Sequence, residues 1–442
     1  MKNRRGKTRG VTVWICLAVL LAVDIVLGIR LMGRNGQGEN TEPPGGSAGG
    51  GISSPDGSTG SGEITKMPGA GGSGSPEAPS ATNPPPESSA DRRAAELLSA
   101  MTLEQKVAQM FMVTPEALTG CTRVTAAGET TKQSFTQYPV GGMIYMAGNL
   151  TDPEQTRSML DNMEAYSMEL LGIPVFLGVD EEGGTVARIA KNEAFGVENV
   201  GDMSKIGASG DIQKARQAGS TIGAYLADLG FNLDFAPVAD VWSNEKNTVV
   251  KYRSFGSDAA LVQDMVKAQI AGLSEQGILS VVKHFPGHGS TAGDSHKGAA
   301  VVEKTLQELR ECDLVPFAGA IGAGVPFVMV GHLSLPQVSG DDVPAVLSEK
   351  IIQEILREEL GFEGIVITDA LDMGAVTDYY SPQEAAVMAV TAGADMLLMP
   401  EDFAAAYEGV LGAVRDGRLT QERIDTSVLR ILKVKTGMVM PE

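Results

Sequence analysis

The stretch LSVVKHFPGHGSTAGDSH, residues 279–296, decides how the rest of the chain is read. It opens with Leu279–His284, a short apolar run that ends on two polar residues, Lys283 and His284. A run of this kind suits a parallel strand buried on both faces. The chain then turns glycine-rich, with Gly287, Gly289 and Gly293, too many for a helix or strand to continue. The segment Phe285–His296 therefore reads as a mobile loop over the strand's end, able to bring Asp294 and His296 toward a bound molecule. A buried strand that presents polar groups at its C-terminal end and hands over to a loop is the repeating unit of a (β/α)8 barrel.

Seven further apolar runs carry the same reading outward. They are Met110–Val113, Gly142–Met146, Pro174–Val179, Asn232–Pro237, Phe327–His332, Gly364–Thr368 and Asp395–Met399. Helix-like segments lie between most of them: Ile212–Leu229, Ala259–Gln276, Glu303–Ala320 and Ser348–Leu360. Thr102 with Gln105 reads as a capping box opening a helix through about Gln109. Alternation of strands and helices admits a barrel or an open doubly wound sheet. An open sheet gathers its polar residues at one switch point. Here they fall at many strand ends: Asp180, Glu181 and Glu182 with Arg188 after the third, Asp240 after the fourth, Lys283 and His284 on the fifth, His332 on the sixth and Asp369 on the seventh. The expected fold is a single α/β barrel of the TIM type.

All four histidines of the chain, His284, His288, His296 and His332, lie at or just after strands five and six. Asp294 stands two residues from His296, near enough to hydrogen-bond the imidazole, fix its tautomer and raise its basicity. Taken alone, such a pair also suits two solvated loop residues. Asp369 follows the buried run Gly364–Thr368, where a carboxylate faces the barrel mouth; the competing role is an N-cap on the next helix. Arg188, Arg253 and Lys283 converging on that mouth would keep Asp369 ionised and bind hydroxyl groups. Two reaction classes use these residue types: glycoside hydrolysis by a carboxylate nucleophile with a separate acid/base, and metal-assisted hydrolysis with the histidines as ligands. A sugar-binding barrel without activity is the third reading.

The N-terminal side reads differently. MKNRRGKTRG carries five basic groups and no acid, and an apolar stretch from Val11 to about Ile29 follows, broken by Asp24. That is close to the ~20 residues that span a bilayer, and the basic flank places the N-terminus in the cytoplasm. The expected organisation is a basic segment 1–10, a transmembrane signal anchor 11–32, a disordered Gly/Ser/Pro linker 33–90 and a catalytic barrel 91–442. The linker cannot bury enough apolar surface to offset the entropy of ordering it. The barrel is then held outside the cell membrane, or secreted if the anchor is a cleaved signal peptide.

Lys and Arg number 35 against 55 Asp and Glu, a net charge of −20, which argues against binding a nucleic acid through broad electrostatics. Only Cys121 and Cys312 lie beyond the apolar N-terminal run, which excludes a disulfide framework and argues against a cysteine-based zinc site. No obligate protein partner is evident.

The pieces GVDEEGGTVAR (178–188), NLDFAPVADV (232–241), RSFG (253–256), KHFPGHGSTAGDSH (283–296) and ITDALDMGAV (367–376) resemble the β-N-acetylglucosaminidases of glycoside hydrolase family 3. The resemblance covers roughly residues 95 to 435. It implies a retaining enzyme that removes terminal β-linked N-acetylglucosamine from wall-derived muropeptides or chito-oligosaccharides. It implies Asp369 as nucleophile and His296, paired with Asp294, as acid/base. It implies that Asp180, Arg188, Arg253, Lys283 and His284 bind the terminal sugar, with no metal and no cofactor. Longer family members carry a second α/β domain that supplies their acid/base; only 73 residues follow Asp369 in this 442-residue chain, so the barrel is expected to supply its own. Ser290 stands where many relatives have an acid.

Overall fold

The computed structural model describes residues 88–292 and 300–439. The expected anchor, nearly all of the expected linker, and the Asp294–His296 pair lie outside the described residues. Among the described residues no helix is long and apolar enough to cross a membrane. Regular structure begins at Ser89, two residues before the boundary expected from composition.

The eight apolar runs become eight parallel strands: β1 (Phe111–Val113), β2 (Gly142–Ile144), β3 (Phe176–Val179), β4 (Leu233–Asp234), β5 (Leu279–Phe285), β7 (Phe327–Val330), β9 (Ile365–Thr368) and β10 (Leu397–Leu398). They join in the order β10-β1-β2-β3-β4-β5-β7-β9. The two ends meet at a parallel bridge between Ile367 and Met396, where Thr368 N–H donates to Met396 O at 3.0 Å. The sheet thus curls into a barrel rather than opening as a doubly wound sheet. Two short strands, β6 (Ala300–Val301) and β8 (Leu333–Ser334), pair beside it as a separate parallel ribbon.

Every residue of β1, β2, β3, β7 and β9 is buried, because one face of each strand fills the barrel and the other lies under helices. Inside the barrel Phe176 meets Phe327 edge to face at 5.1 Å. The expected helix Ile212–Leu229 forms over those residues, capped by Asp211 and stopped by Gly230 at φ 95°. It packs closely on the helix Ala259–Ser274: a Cβ on Gly219 would stand 2.3 Å from Gln269 O, so this crossing requires glycine. Thr102 and Gln105 form the expected reciprocal cap of the helix Leu103–Gln109.

Two expected helices differ in form. Glu303–Ala320 is broken into Leu306–Glu311 and Leu314–Gly322. Asp313, at the break, is fully buried and paired with Lys304, which ties the turn to the interior rather than letting one helix run through. Ser348–Leu360 is wound as a π-helix over Lys350–Glu359, with Leu360 N–H reaching back to Ile355 O.

The N-terminal end of the barrel is closed by charges that satisfy backbone groups. Asp395, fully buried before β10, accepts from Val366 N–H at 2.9 Å and pairs with Arg430 at 3.1 Å and with Arg357. Lys435 of the C-terminal helix is also buried, donating to Gln109 at 2.9 Å above the Phe176 ring. Burial pushes the Lys435 ammonium down to about 7, with Glu164 offsetting part of that effect. This rigid base leaves the opposite, C-terminal end of the strands for the site.

Candidate active site

A cavity of about 610 Å³ opens at the C-terminal ends of the strands. Asp180, Arg188, Arg253, Lys283, His284 and Asp369 all line it, so the six described residues singled out from sequence are brought together. The chain separates them by up to 189 positions; the barrel gathers them because each sits at or just beyond a strand end.

Lys283 projects from β5 and is held between two carboxylates, Asp180 at 2.9 Å and Glu182 at 2.7 Å. Burial alone would lower the Lys283 pKa; Asp180 and Glu182 outweigh it and hold it above the usual lysine value. Arg253 grips Glu182 with Nε and Nη2, both at 2.7 Å, in a bidentate pair. Burial would raise the Glu182 carboxyl, but Arg253 and Lys283 hold it well below the usual range. Arg188 Nη2 donates to Asp180 at 3.3 Å. The loop that carries Arg188 is fixed from beneath by Glu181, which accepts from the N–H groups of Arg188, Ile189 and Ala190 and from Tyr225 OH.

His284 is held by Asp240, whose Oδ2 lies 2.7 Å from Nδ1. Arg253 Nη2 lies 3.3 Å from His284 Nε2. A guanidinium only donates, so Nε2 accepts and Nδ1 carries the proton toward Asp240. Asp240 Oδ1 also accepts the His288 N–H at 2.6 Å. Burial would raise the Asp240 carboxyl; His284 and His288 hold it below its ordinary value.

The glycines of the loop after β5 have a different origin from the one expected. Phe285–Gly289 are buried rather than suspended over the mouth. Gly287 takes φ 130°, where a Cβ would lie 2.7 Å from that of Asp313, and a Cβ on Gly289 would lie 1.9 Å from Val241 O. Glycine here permits close packing, so this half of the segment is a fixed wall. His288 is part of that wall, with its carbonyl accepting from Asn247 at 2.9 Å. The expectation of a mobile loop is corrected for Phe285–Gly289. Residues 293–299 lie outside the described residues.

Asp369 follows β9. Its N–H donates to Val330 O at 2.9 Å, and its Oδ1 accepts from Ala370 N–H at 2.8 Å. No helix begins at Ala370, so the competing N-cap role is not taken; the next helix starts at Gly374. Burial would raise the carboxyl, but His332, His284, the Ala370 N–H and Lys283 outweigh it and hold Asp369 below the ordinary carboxylate value. Of the three cations expected from sequence to keep it ionised, Lys283 contributes, behind the two histidines. His332 stands beside them, its Nε2 2.7 Å from Ala370 O.

Four residues of the site were not assigned a role from sequence. Glu182 and Asp240 were noted only as strand-end polar residues, and their function lies in partners 71 and 44 positions away. Asp372 and Met399 also line the cavity. Met399 is the one non-glycine residue at positive φ among the described residues, at 45°. Backbone strain of this kind gathers at functional sites. Among the described residues no group of three or more His, Cys, Asp or Glu side chains is placed to hold a metal ion.

The arrangement is an ionised carboxylate in the wall of a cavity that combines apolar surface with preorganised donors and acceptors. Residues 102–434 match the glycosyl hydrolase family 3 N terminal domain. β-Hexosaminidase A of Pseudoalteromonas piscicida is 35% identical over 329 residues, 69% of this chain and 54% of that protein. β-Hexosaminidase LpqI of Mycobacterium tuberculosis is 35% identical over 309 residues, 68% of this chain and 76% of that protein. A solved family 3 β-N-acetylglucosaminidase from a Paenibacillus species superposes with a TM-score of 0.72 at 37% identity, covering 78% of this chain and 64% of that one. The chain therefore spans about half the length of the first of these relatives.

Proposed function

The chain belongs to glycosyl hydrolase family 3, and from that premise we propose that it is a retaining exo-β-N-acetylglucosaminidase. The observation that carries the reading is the convergence of Asp180, Arg188, Arg253, Lys283 and His284 on one cavity with Asp369 at its wall. Relatives named β-hexosaminidase support the choice of sugar.

In the proposed reaction a carboxylate oxygen of Asp369 attacks the anomeric carbon as the glycosidic bond breaks. His296, oriented by Asp294, gives its proton to the leaving oxygen. Both residues are assigned from sequence. Water then attacks the anomeric carbon, His296 takes its proton, and the sugar leaves Asp369 with its original configuration. The neighbouring polar groups serve ground-state and transition-state binding: Asp180 accepts from sugar hydroxyls, while Arg188, Arg253 and Lys283 donate. His284 is held in one tautomer by Asp240 to meet a hydroxyl group beside Arg253.

The test is hydrolysis of an aryl N-acetyl-β-glucosaminide followed by proton NMR. The expected first product is β-N-acetylglucosamine, free sugar rather than its 1-phosphate in phosphate buffer, at a rate unaffected by chelators. An inverted product, or activity lost to chelation and restored by zinc, sinks the proposal.

The placement of the enzyme is likewise proposed from sequence. A basic segment, an apolar stretch and a long polar linker support a barrel held outside the membrane within reach of the wall. Protease added to wall-stripped intact cells should release an active fragment beginning within residues 33–90. A fragment protected until the membrane is broken would overturn this topology.

A further inference from the structure

The groups around Asp369 serve every substrate that ends in the same sugar, so discrimination among substrates falls to whatever the leaving group meets. Inside the cavity all three permanent cations are engaged by carboxylates: Arg188 with Asp180, Arg253 with Glu182, and Lys283 with both. They offer hydrogen bonds but no surplus positive charge. Four carboxylates line the cavity, Asp180, Glu182, Asp369 and Asp372, against those three cations. The described lining thus carries one excess negative charge.

That excess is exposed at Asp372. Among the described ionisable residues of the lining, Asp372 alone is exposed to solvent, and no ion pair with it is found among the described residues. It lies three positions after Asp369 and lines the same cavity as that carboxylate and the half-buried Met399. Met146, Val186, Val249, Met373 and Met399 supply apolar surface to the cavity. Partial burial of the carboxyl group, with smaller contributions from Asp369 and Glu401, pushes Asp372 above its ordinary value.

We infer that Asp372 is a specificity-determining residue that favours a neutral or cationic saccharide as the leaving group and disfavours one bearing a carboxylate, such as a lactyl ether. The inference rests on the glycosidase reading and narrows its substrate class toward chito-oligosaccharides, partly deacetylated ones included, and away from muramic-type disaccharides. A second negative charge several ångströms from Asp372, in the partly aqueous mouth, would be disfavoured by roughly five-fold. The chain's net charge of −20 adds a longer-range repulsion that salt removes.

The test uses the full-length protein and four substrates: an aryl N-acetyl-β-glucosaminide, and disaccharides with terminal N-acetylglucosamine on N-acetylglucosamine, on glucosamine and on N-acetylmuramic acid. In the wild type, kcat/KM should favour the neutral and cationic disaccharides over the anionic one. High salt should narrow that ratio. Asp372→Asn should shift it about five-fold toward the anionic substrate, and Asp372→Glu should restore it. A wild type that prefers the anionic disaccharide, or a ratio unmoved by Asp372→Asn while the aryl glycoside is still cleaved, overturns the inference alone. Failure to cleave the aryl glycoside overturns the glycosidase reading and takes the inference with it.

Discussion

Asp369→Asn should abolish nearly all turnover of an aryl N-acetylglucosaminide while leaving the fold intact. The amide keeps the size of the carboxylate and its carbonyl oxygen still accepts from Ala370 N–H, so the local geometry at the end of β9 survives. What is lost is the nucleophile. The effect expected is roughly 10⁴-fold or more in kcat, on the order of 5 kcal/mol of transition-state stabilisation. Stability should fall modestly at neutral pH, because His332, His284, the Ala370 N–H and Lys283 favour the ionised carboxyl in the folded state and the amide forgoes that contribution. Asp369→Ala supplies the diagnostic complement. With the carboxylate gone, azide has access to the anomeric carbon from the same side, and the expected product is the glycosyl azide of inverted configuration. Residual activity of a tenth of wild type in Asp369→Asn, in a well-folded preparation, would remove Asp369 from the proposed mechanism.

How much of this was legible in the sequence varies with the range of the interaction. Strand positions were legible, because a strand buried on both faces is apolar along its whole length whatever its partners. Their ends were less so: Asn232–Pro237 yields only Leu233–Asp234 as regular strand, and pairing resumes at a parallel bridge between Val238 and Lys283, just before Asp240. Asp369, Lys283 and His284 stood out because a charge directly after an apolar run is unusual. Glu182 and Asp240 did not, because one carboxylate in DEEGG or NLDFAPVADV looks like the next until the barrel supplies its cation or imidazole. The glycines of KHFPGHG were legible as a break in regular structure but not as close packing, since the clashes that require them involve Asp313 and Val241. Charge count placed the protein among acidic chains without indicating that its cavity cations are internally neutralised.

Glu182→Gln should be the most costly substitution among the residues that the cavity's ion pairs made visible. Glu182 is buried, with two bonds to Arg253 and one to Lys283. Lys283 retains Asp180 when the charge is removed, but Arg253 is left with no carboxylate of its own. Breaking a buried pair by removing one partner typically costs about 3–5 kcal/mol, because the surviving charge stays desolvated and uncompensated. The effect should appear twice, as lower resistance to denaturant and as a raised KM, since Arg253 also lies against His284. The pH dependence separates this role from a packing defect. Burial opposes ionisation of Glu182, yet Arg253 and Lys283 hold its folded pKa below the unfolded value. In the window between those two values the unfolded chain binds the extra proton. The stabilisation is therefore complete above the ordinary glutamate range, near pH 4.5, and is lost progressively as pH falls below it. Wild type should lose its advantage over Glu182→Gln as acid unfolding is followed downward from pH 6, with the two curves converging at low pH. A constant difference between them across that range would show that Glu182 acts through shape, and that its charge does not hold Arg253 and Lys283 in place.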